Sequence, residues 1–392
     1  MNFSDAKIPA PTSVYVHVPF CRQRCGYCNF ALVADRDYLI KDFLTALESE
    51  MMQYEATGAI DTLFLGGGTP TLLDGDALTQ LCESIFRRFK LRADGEFSIE
   101  ANPNDLDSDK IKCLRDLGVN RLSLGAQSFN ALKLDFLERD HDAAQIYQAI
   151  DLSRAHFESI SLDLMFGVRG ETAEVWQTDL DTAISTQVQH ISTYELTIEK
   201  GTQFWNRTNR RERLKTNENN NAKLYLLAQE RLTRAGFHQY EISNFAQPQH
   251  ACRHNQAYWN GSRYWAFGPG AASFVGNTRR INHAGVIRYI RELKQGRLPL
   301  ADQEHLTHRQ IGIDMLVFGL RQVSGCNLMR WQEFSGLNVQ DLPTTIIDRF
   351  IDAGWISLDS TAIRLTQSGL LFADAICSEL FTAMDKIRGQ VK

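Results

Sequence analysis

VYVHVPFCRQRCGYCNF, residues 14–30, joins a short strand to a loop carrying Cys21, Cys25 and Cys28. The spacing is C-x3-C-x2-C. Three thiolates this close in sequence can hold three corners of a cubane iron–sulfur cluster and leave one iron open for chemistry. A structural zinc site uses four protein ligands in paired clusters, and no second C-x2-C occurs in the chain. The other cysteines, Cys82, Cys113, Cys252, Cys326 and Cys377, stand singly and read as core or surface thiols.

Working outward, strand-like runs at 14–18, 62–66, 96–100, 121–125, 159–167 and 190–198 alternate with helical patterns at 38–54, 76–89, 108–117, 142–156 and 172–186. In the helical segments apolar residues recur every three or four positions. Such alternation predicts a parallel sheet with helices outside it. Six right-handed units curve into a partial (β/α)6 barrel, an α/β fold whose chemistry sits on the loops after the strands. The unusual residues fall at those ends. The second strand runs into Gly66-Gly67-Gly68-Thr69-Pro70, the third into Glu100-Ala101-Asn102-Pro103, the fourth reaches Gln127 and the fifth carries Asp163.

The polar stretch 206–223 reads as a mobile loop or hinge. Beyond residue 300, a helix at 344–354, a hairpin of 355–358 with 362–365 and a helix at 366–380 predict a small winged-helix-like domain acting as a lid or docking module. The expected division is a cluster-bearing partial barrel over 1–240, a barrel extension over 241–300 and the C-terminal domain over 301–392.

A net charge of −5 argues against a nucleic-acid partner recruited by a basic surface. No apolar run approaches the ~20 residues of a membrane span. The first residues, MNFSDAKIPAPTS, lack the basic and apolar regions of a signal peptide. Eight cysteines without a disulfide-like framework fit a reducing compartment, so the expected location is the cytoplasm.

The pieces YVHVPFCRQRCGYCNF, LFLGGGTPTLL, IEANP, GVNRLSLGAQSF, LDLMFG, YELTIEKGT and RHNQAYWNG together resemble the oxygen-independent coproporphyrinogen oxidase family of radical S-adenosylmethionine (SAM) proteins. The resemblance implies a 4Fe-4S cluster on Cys21, Cys25 and Cys28 whose open iron chelates SAM. It also implies an outside electron donor. Gly67 and Gly68, with Thr69 and Pro70 fixing the turn, would let the backbone approach the SAM amino group. Tyr15 and Tyr27 match family residues bordering the SAM methionine and adenine, and Glu100 matches a ribose acceptor. Gln127, Arg139 and Asp163 match positions around SAM or a second SAM. The residues themselves leave other roles open: Arg139 could pair with Glu138 or Asp140, Glu100 could be a solvated carboxylate, and the tyrosines could be packing.

Two departures point to one branch of that family. Members that oxidise the porphyrinogen carry a fourth cysteine where this chain has Phe30, and a longer extension than the thirteen residues before Val14. Both resemble the haem-chaperone branch, as does His254-Asn255-Gln256-Ala257-Tyr258-Trp259. The resemblance implies haem as cargo, apo-haemoproteins as acceptors, and room for a homodimer or peripheral membrane association; His254 could be an axial ligand, with Cys252 or His250 as alternatives, or could cap a turn beside core aromatics. The alternative is an enzyme that oxidatively decarboxylates coproporphyrinogen III to protoporphyrinogen IX.

Overall fold

The computed structural model describes residues 9–55, 58–209, 214 and 217–386. Residues 1–8 of the N-terminal stretch, and 210–213, 215 and 216 of the polar stretch, lie outside the described residues.

Six strands run parallel and in chain order: β1 (Ser13–Val18), β2 (Ala59–Gly67), β3 (Lys90–Ala101), β4 (Arg121–Gln127), β5 (Ser159–Phe166) and β6 (His190–Glu195). Helices Ile40–Met52, Gly75–Phe86, Ser108–Asp116, Ala143–Ser153 and Ala173–Ser185 make the crossovers. The register sorts side chains into two faces, because successive residues of a strand point opposite ways. Leu65 pairs with Ile99, Ile99 with Leu122 and Leu122 with Ile160, giving a buried apolar row across the sheet. That row joins Phe43, Leu47, Leu78, Ile85, Ile146 and Trp176 of the outer helices in one core. Each fully buried side chain of this kind contributes roughly 1.5–3 kcal/mol. The opposite face carries Tyr15, Phe64, Glu100, Ser123 and Asp163, so the barrel interior is the polar and aromatic side.

The sheet continues past both ends of the six. Strand Asn244–Ala246 joins β6 antiparallel, with His238–Gln239 outside it. On the other edge, Tyr264–Phe267 lies parallel to β1, and a meander of Ala272–Val275, Thr278–Asn282 and Leu300–His305 completes twelve strands. Helix Ile40–Met52 holds this extension through Glu50. Its buried carboxylate accepts hydrogen bonds from the Gly268 amide at 3.0 Å, Asn282 Nδ2 at 2.6 Å and the Tyr289 hydroxyl at 2.5 Å.

Burial pushes the Glu50 carboxyl up to about 7, against the opposing pull of those three donors. The folded protein therefore holds a proton between about pH 4.5 and 7 that the unfolded chain releases. The resulting stabilisation is full below 4.5 and lost as pH rises through 7. Urea midpoints measured across pH 5 to 8 should show the parent losing up to about 3 kcal/mol that a Glu50→Gln variant, lacking the titration, does not lose. Parallel pH profiles would contradict the assignment.

The C-terminal residues form helices His308–Gly319, Leu328–Ser335, Thr344–Asp352, Gln367–Leu370 and Ala373–Lys386 around a three-stranded antiparallel sheet. The expected hairpin is present as Ile356–Leu358 with Ala362–Leu365, and Cys326–Asn327 adds a third strand. The expected single closing helix is broken after Leu370. The polar stretch is not a plain loop either, since helix Gln203–Asn209 enters it and helix Glu218–Arg234 begins within it, capped by the Asn217 side chain. No helix among the described residues is long and apolar enough to cross a membrane.

Candidate functional site

A cavity of about 480 Å3 opens at the C-terminal ends of the six strands, and Cys21, Cys25 and Cys28 all line it. The loop that carries them is held by its own backbone and by neighbours, not by the thiols. Arg24 spans it, donating to the carbonyls of Cys28 at 3.3 Å, Phe30 at 3.2 Å and Leu32 at 2.8 Å. Glu138 anchors its far side, accepting from the Gly26 amide at 2.6 Å, while its carbonyl accepts from Gln23 Nε2 at 2.7 Å. The thiols are left facing the cavity. All eight cysteines are free, and among the described residues no three His, Cys, Asp or Glu side chains converge on a single metal ion. The three thiols border one open volume, a donor set of the kind that holds a 4Fe-4S cluster.

A chain of hydrogen bonds ties the glycine turn to the cysteine loop. The Cys21 thiol and Thr69 hydroxyl lie 3.4 Å apart, Asn102 Nδ2 donates to Thr69 Oγ1 at 3.2 Å, and Arg139 Nη2 donates to Asn102 Oδ1 at 2.5 Å. Arg139 Nη1 then donates to Cys25 Sγ at 3.5 Å. Arg139 therefore turns inward, and of its two sequence alternatives the structure takes neither: Glu138 is occupied with the Gly26 amide. Donors aimed at sulfur favour the thiolate, the form that ligates iron. Without such ligation, burial raises the Cys21 thiol to about 11 despite the Thr69 bond.

The glycine run has a local explanation that sequence alone did not suggest. Gly67 adopts φ of +112°, and a Cβ there would strike the His17 ring at 2.4 Å. A Cβ on Gly68 would fall 2.6 Å from the Phe20 carbonyl oxygen, since Gly68 N bonds to the Val18 carbonyl at the end of β1 and Thr69 N to the Phe20 carbonyl just beyond it. These glycines are demanded by this chain's own packing, whatever approaches from the cavity. The Gly67 amide in turn donates to Glu100 Oε2 at 2.8 Å. Glu100 is thus not the solvated carboxylate left open by the sequence; burial, with Asp163 adding repulsion, pushes it up to about 7.

Gln127 lines the cavity from a left-handed backbone, φ +65°, at a slip in the β4–β5 ladder. Asp163 lines it too, accepting from the Ser123 hydroxyl at 3.1 Å, and burial raises its carboxyl. Tyr27 borders it with its ring edge-on to Phe204. Phe30 stands at its mouth, 64% exposed. Sequence reasoning missed Asn102 as the bridge, and missed Met165 and Tyr194 as further lining residues. The Asn-Pro pair after β3 was the available signal for the first.

Tyr15, Pro70 and His254 are not among the cavity-lining residues. Pro70 is buried and starts the short turn Pro70–Leu72. The Tyr15 hydroxyl lies 3.0 Å from His17 Nδ1, and His17 Nε2 lies 2.7 Å from the Ala31 carbonyl. A carbonyl only accepts, so Nε2 carries the proton and Nδ1 accepts from Tyr15. Below Tyr15, His254 closes the barrel interior, its ring 5.2 Å from Phe64 and 6.3 Å from Tyr15. Glu96 seats it by accepting from the backbone amides of Arg253 at 2.9 Å and His254 at 3.0 Å, at the start of helix Arg253–Trp259. His254 is 1% exposed, with Nδ1 2.8 Å from Thr62 Oγ1 and Nε2 2.8 Å from the Tyr258 hydroxyl. Both ring nitrogens are engaged, so the expected haem ligand has no lone pair to offer iron in this arrangement. Burial holds it neutral, with its pKa pulled to about 3.

Comparison with known proteins adds the wider context. The radical SAM superfamily model matches residues 15–183, and the HemN C-terminal domain model matches residues 306–372. The chain is 35% identical over 369 residues to the haem chaperone HemW of Bacillus subtilis, covering 93% of this chain and 97% of that one. It is 32% identical over 384 residues to the haem chaperone HemW of Escherichia coli, covering 96% and 99%. Among solved structures it is similar to the E. coli coproporphyrinogen III oxidase HemN, with a TM-score of 0.80 and 23% identity over 97% of this chain and 92% of that one. That likeness speaks to the fold.

Proposed function

The chain belongs to the HemW family of radical SAM proteins, and we propose that it is a haem chaperone, binding haem and passing it to apo-haemoproteins. The observation that carries the reading is the end-to-end match to haem chaperones, which spans the barrel, its extension and the C-terminal domain alike. Phe30 at the cavity mouth, where the oxidases resemble one another in having cysteine, agrees with it.

In this reading Cys21, Cys25 and Cys28 hold three irons of a 4Fe-4S cluster, and SAM occupies the remainder of the cavity. The donor set fits: three thiols on one volume, with Arg139 and Thr69 reaching Cys25 and Cys21. When bound, the cluster supplies a one-electron reduction of the SAM sulfonium, the electron coming from a donor outside the chain. The protein's own contribution is placement. Arg139 and Asn102 fix the spacing between the cysteine loop and the glycine turn. Glu100 holds the Gly67 amide, while Gln127, Asp163 and Tyr27 present polar groups to a nucleoside and an amino acid. Gly67, Gly68 and Thr69 form the turn against which SAM lies, and Tyr15 and Pro70 support it from behind.

Eight free thiols support the reducing cytoplasm as the setting of this reading. Homodimer formation and peripheral contact with a membrane belong to the same reading, as routes by which cargo reaches an acceptor.

The function is tested by loading the protein with haem, removing free haem and adding an apo-haemoprotein in excess. The Soret band of the acceptor should grow while that of the donor protein falls, faster than haem moves from an albumin carrier to the same acceptor. Haem that stays on this protein, or moves no faster than from albumin, would rule out delivery.

A further inference from the structure

Two hollows lie between helix Arg253–Trp259, the meander and the C-terminal domain, and share no lining residue with the cysteine cavity. Trp259 and Met315 line both, so the two adjoin. One, about 220 Å3, is walled by Tyr264, Phe274 and Phe318, and its only charges, Arg279 and Asp314, neutralise each other at 2.5 Å. The other, about 250 Å3, is polar. Gln322, Asn327, Arg330, Thr361 and Arg364 frame it, and no aspartate or glutamate is among its lining residues.

The polar hollow has donors in excess. Arg330 Nε, Arg364 Nε and Trp259 Nε1 are buried and have no hydrogen-bond acceptor among the described residues. A buried N–H left unpaired costs about 1–3 kcal/mol, and all three belong to residues that line this hollow. Charge is in excess as well. Arg330 donates to the Ser262 hydroxyl at 3.2 Å and lies 5.4 Å over the Phe334 ring. Among the described residues, neighbouring Arg263 donates only to the carbonyls of Gly261 and Gly276. Burial, with Arg330 adding repulsion, pulls Arg263 down to about 10. Arg364 shares its charge with Asp359 at 3.1 Å. Asn327 and Thr361 at the rim are exposed, so a ligand can enter from solvent.

We propose that this polar hollow is a carboxylate subsite in which Arg330 and Arg364 receive the propionates of haem, while the adjoining groove of Trp259, Met315 and Phe318 takes the edge of the macrocycle. Haem is an apolar disc with two carboxylates on one edge, and the paired hollows present that same division. Arginine suits the task because its planar fork donates twice to one carboxylate. The assignment rests on the haem-chaperone reading but uses none of the residues of the cysteine cavity, and it places the cargo away from His254.

The test is an equilibrium titration of the full-length protein with haemin and with haemin dimethyl ester, which lacks free carboxylates. The parent should bind the ester about tenfold to a hundredfold more weakly than haemin, the range expected when a hydrogen-bonded charge pair is lost. Arg330→Gln should weaken haemin by a similar factor and show little further loss with the ester. Arg330→Lys should recover part of the loss. SAM binding should be the same in all three proteins. Equal affinity of the unmodified protein for haemin and its ester would overturn the subsite and leave the chaperone reading intact, whether or not the variants fold. A parent that binds no haemin at all would overturn both.

Discussion

Alanine at Cys21, Cys25 and Cys28 together is expected to leave a folded barrel that takes up no iron. The short bonds holding the loop do not use sulfur: Arg24 grips three carbonyls, and Glu138 grips Gly26 and Gln23. The thiols have weak partners, Thr69 at 3.4 Å, Arg139 at 3.5 Å and the Glu138 carbonyl at 3.7 Å, and Arg139 keeps its bond to Asn102 without them. The urea midpoint should therefore move by less than about 1 kcal/mol, the range of a substitution that breaks no buried network. After anaerobic reconstitution the parent should carry about four irons and four sulfides per chain, as a cubane requires. The triple variant should carry background iron, show no charge-transfer absorption and lose SAM binding. Retention of the cluster by the triple variant would contradict the ligand assignment.

His254→Ala is expected to cost stability and spare haem. The ring is 1% exposed and sits between Thr62 and Tyr258, whose hydroxyls both lose their partner when it is removed. A cavity of ring size plus two orphaned hydroxyls places the loss at about 3–5 kcal/mol. The loss should narrow on acidification. His254 stays neutral in the folded protein down to about pH 3, whereas the unfolded chain takes up a proton near 6.5. Acid therefore favours the unfolded parent by about 1.4 kcal/mol per pH unit below 6.5, a term that alanine lacks. Haem affinity, measured where the variant is folded, should stay within about twofold of the parent, since a buried ring with both nitrogens engaged does not ligate iron. Unchanged stability with loss of haem binding would reverse the assignment and make His254 a ligand.

The legible parts of the fold were those written in local pattern. Each of the first five barrel strands is followed by its own amphipathic helix, and the strand-end residues Gly67, Glu100, Gln127 and Asp163 fall on one cavity because parallel strands put all their C-terminal ends together. The meander was less legible. Thr278–Asn282 is TRRIN and Leu300–His305 is LADQEH, edge-side strands with charges where a core strand would carry apolar residues. Tyr264–Phe267 gains its parallel partner from β1, some two hundred and fifty residues earlier in the chain, a pairing no local window contains.

At the site, residue types were legible and their partners were not. Arg139 could be seen as a candidate, but its reach to Asn102 and Cys25 depends on how β3 and β4 sit side by side. The three glycines suggested room for a ligand, while at Gly67 and Gly68 the space is already filled by His17 and the Phe20 backbone. His254 carried a motif that pointed to iron. Beside the local Tyr258, its partners Thr62 and Glu96 lie more than one hundred and fifty residues away. Position in the folded barrel, not residue type, decides that role.

The central claim is that this chain carries haem and does not consume porphyrinogen, although it has the thiols for radical chemistry. It is tested most directly by reconstituting the cluster anaerobically, supplying SAM and a reductant, and assaying one sample for two things: stoichiometric haem binding and consumption of coproporphyrinogen III. The account predicts a stable haem adduct and no loss of porphyrinogen over background. Steady conversion of coproporphyrinogen to protoporphyrinogen without a stable haem adduct would contradict it.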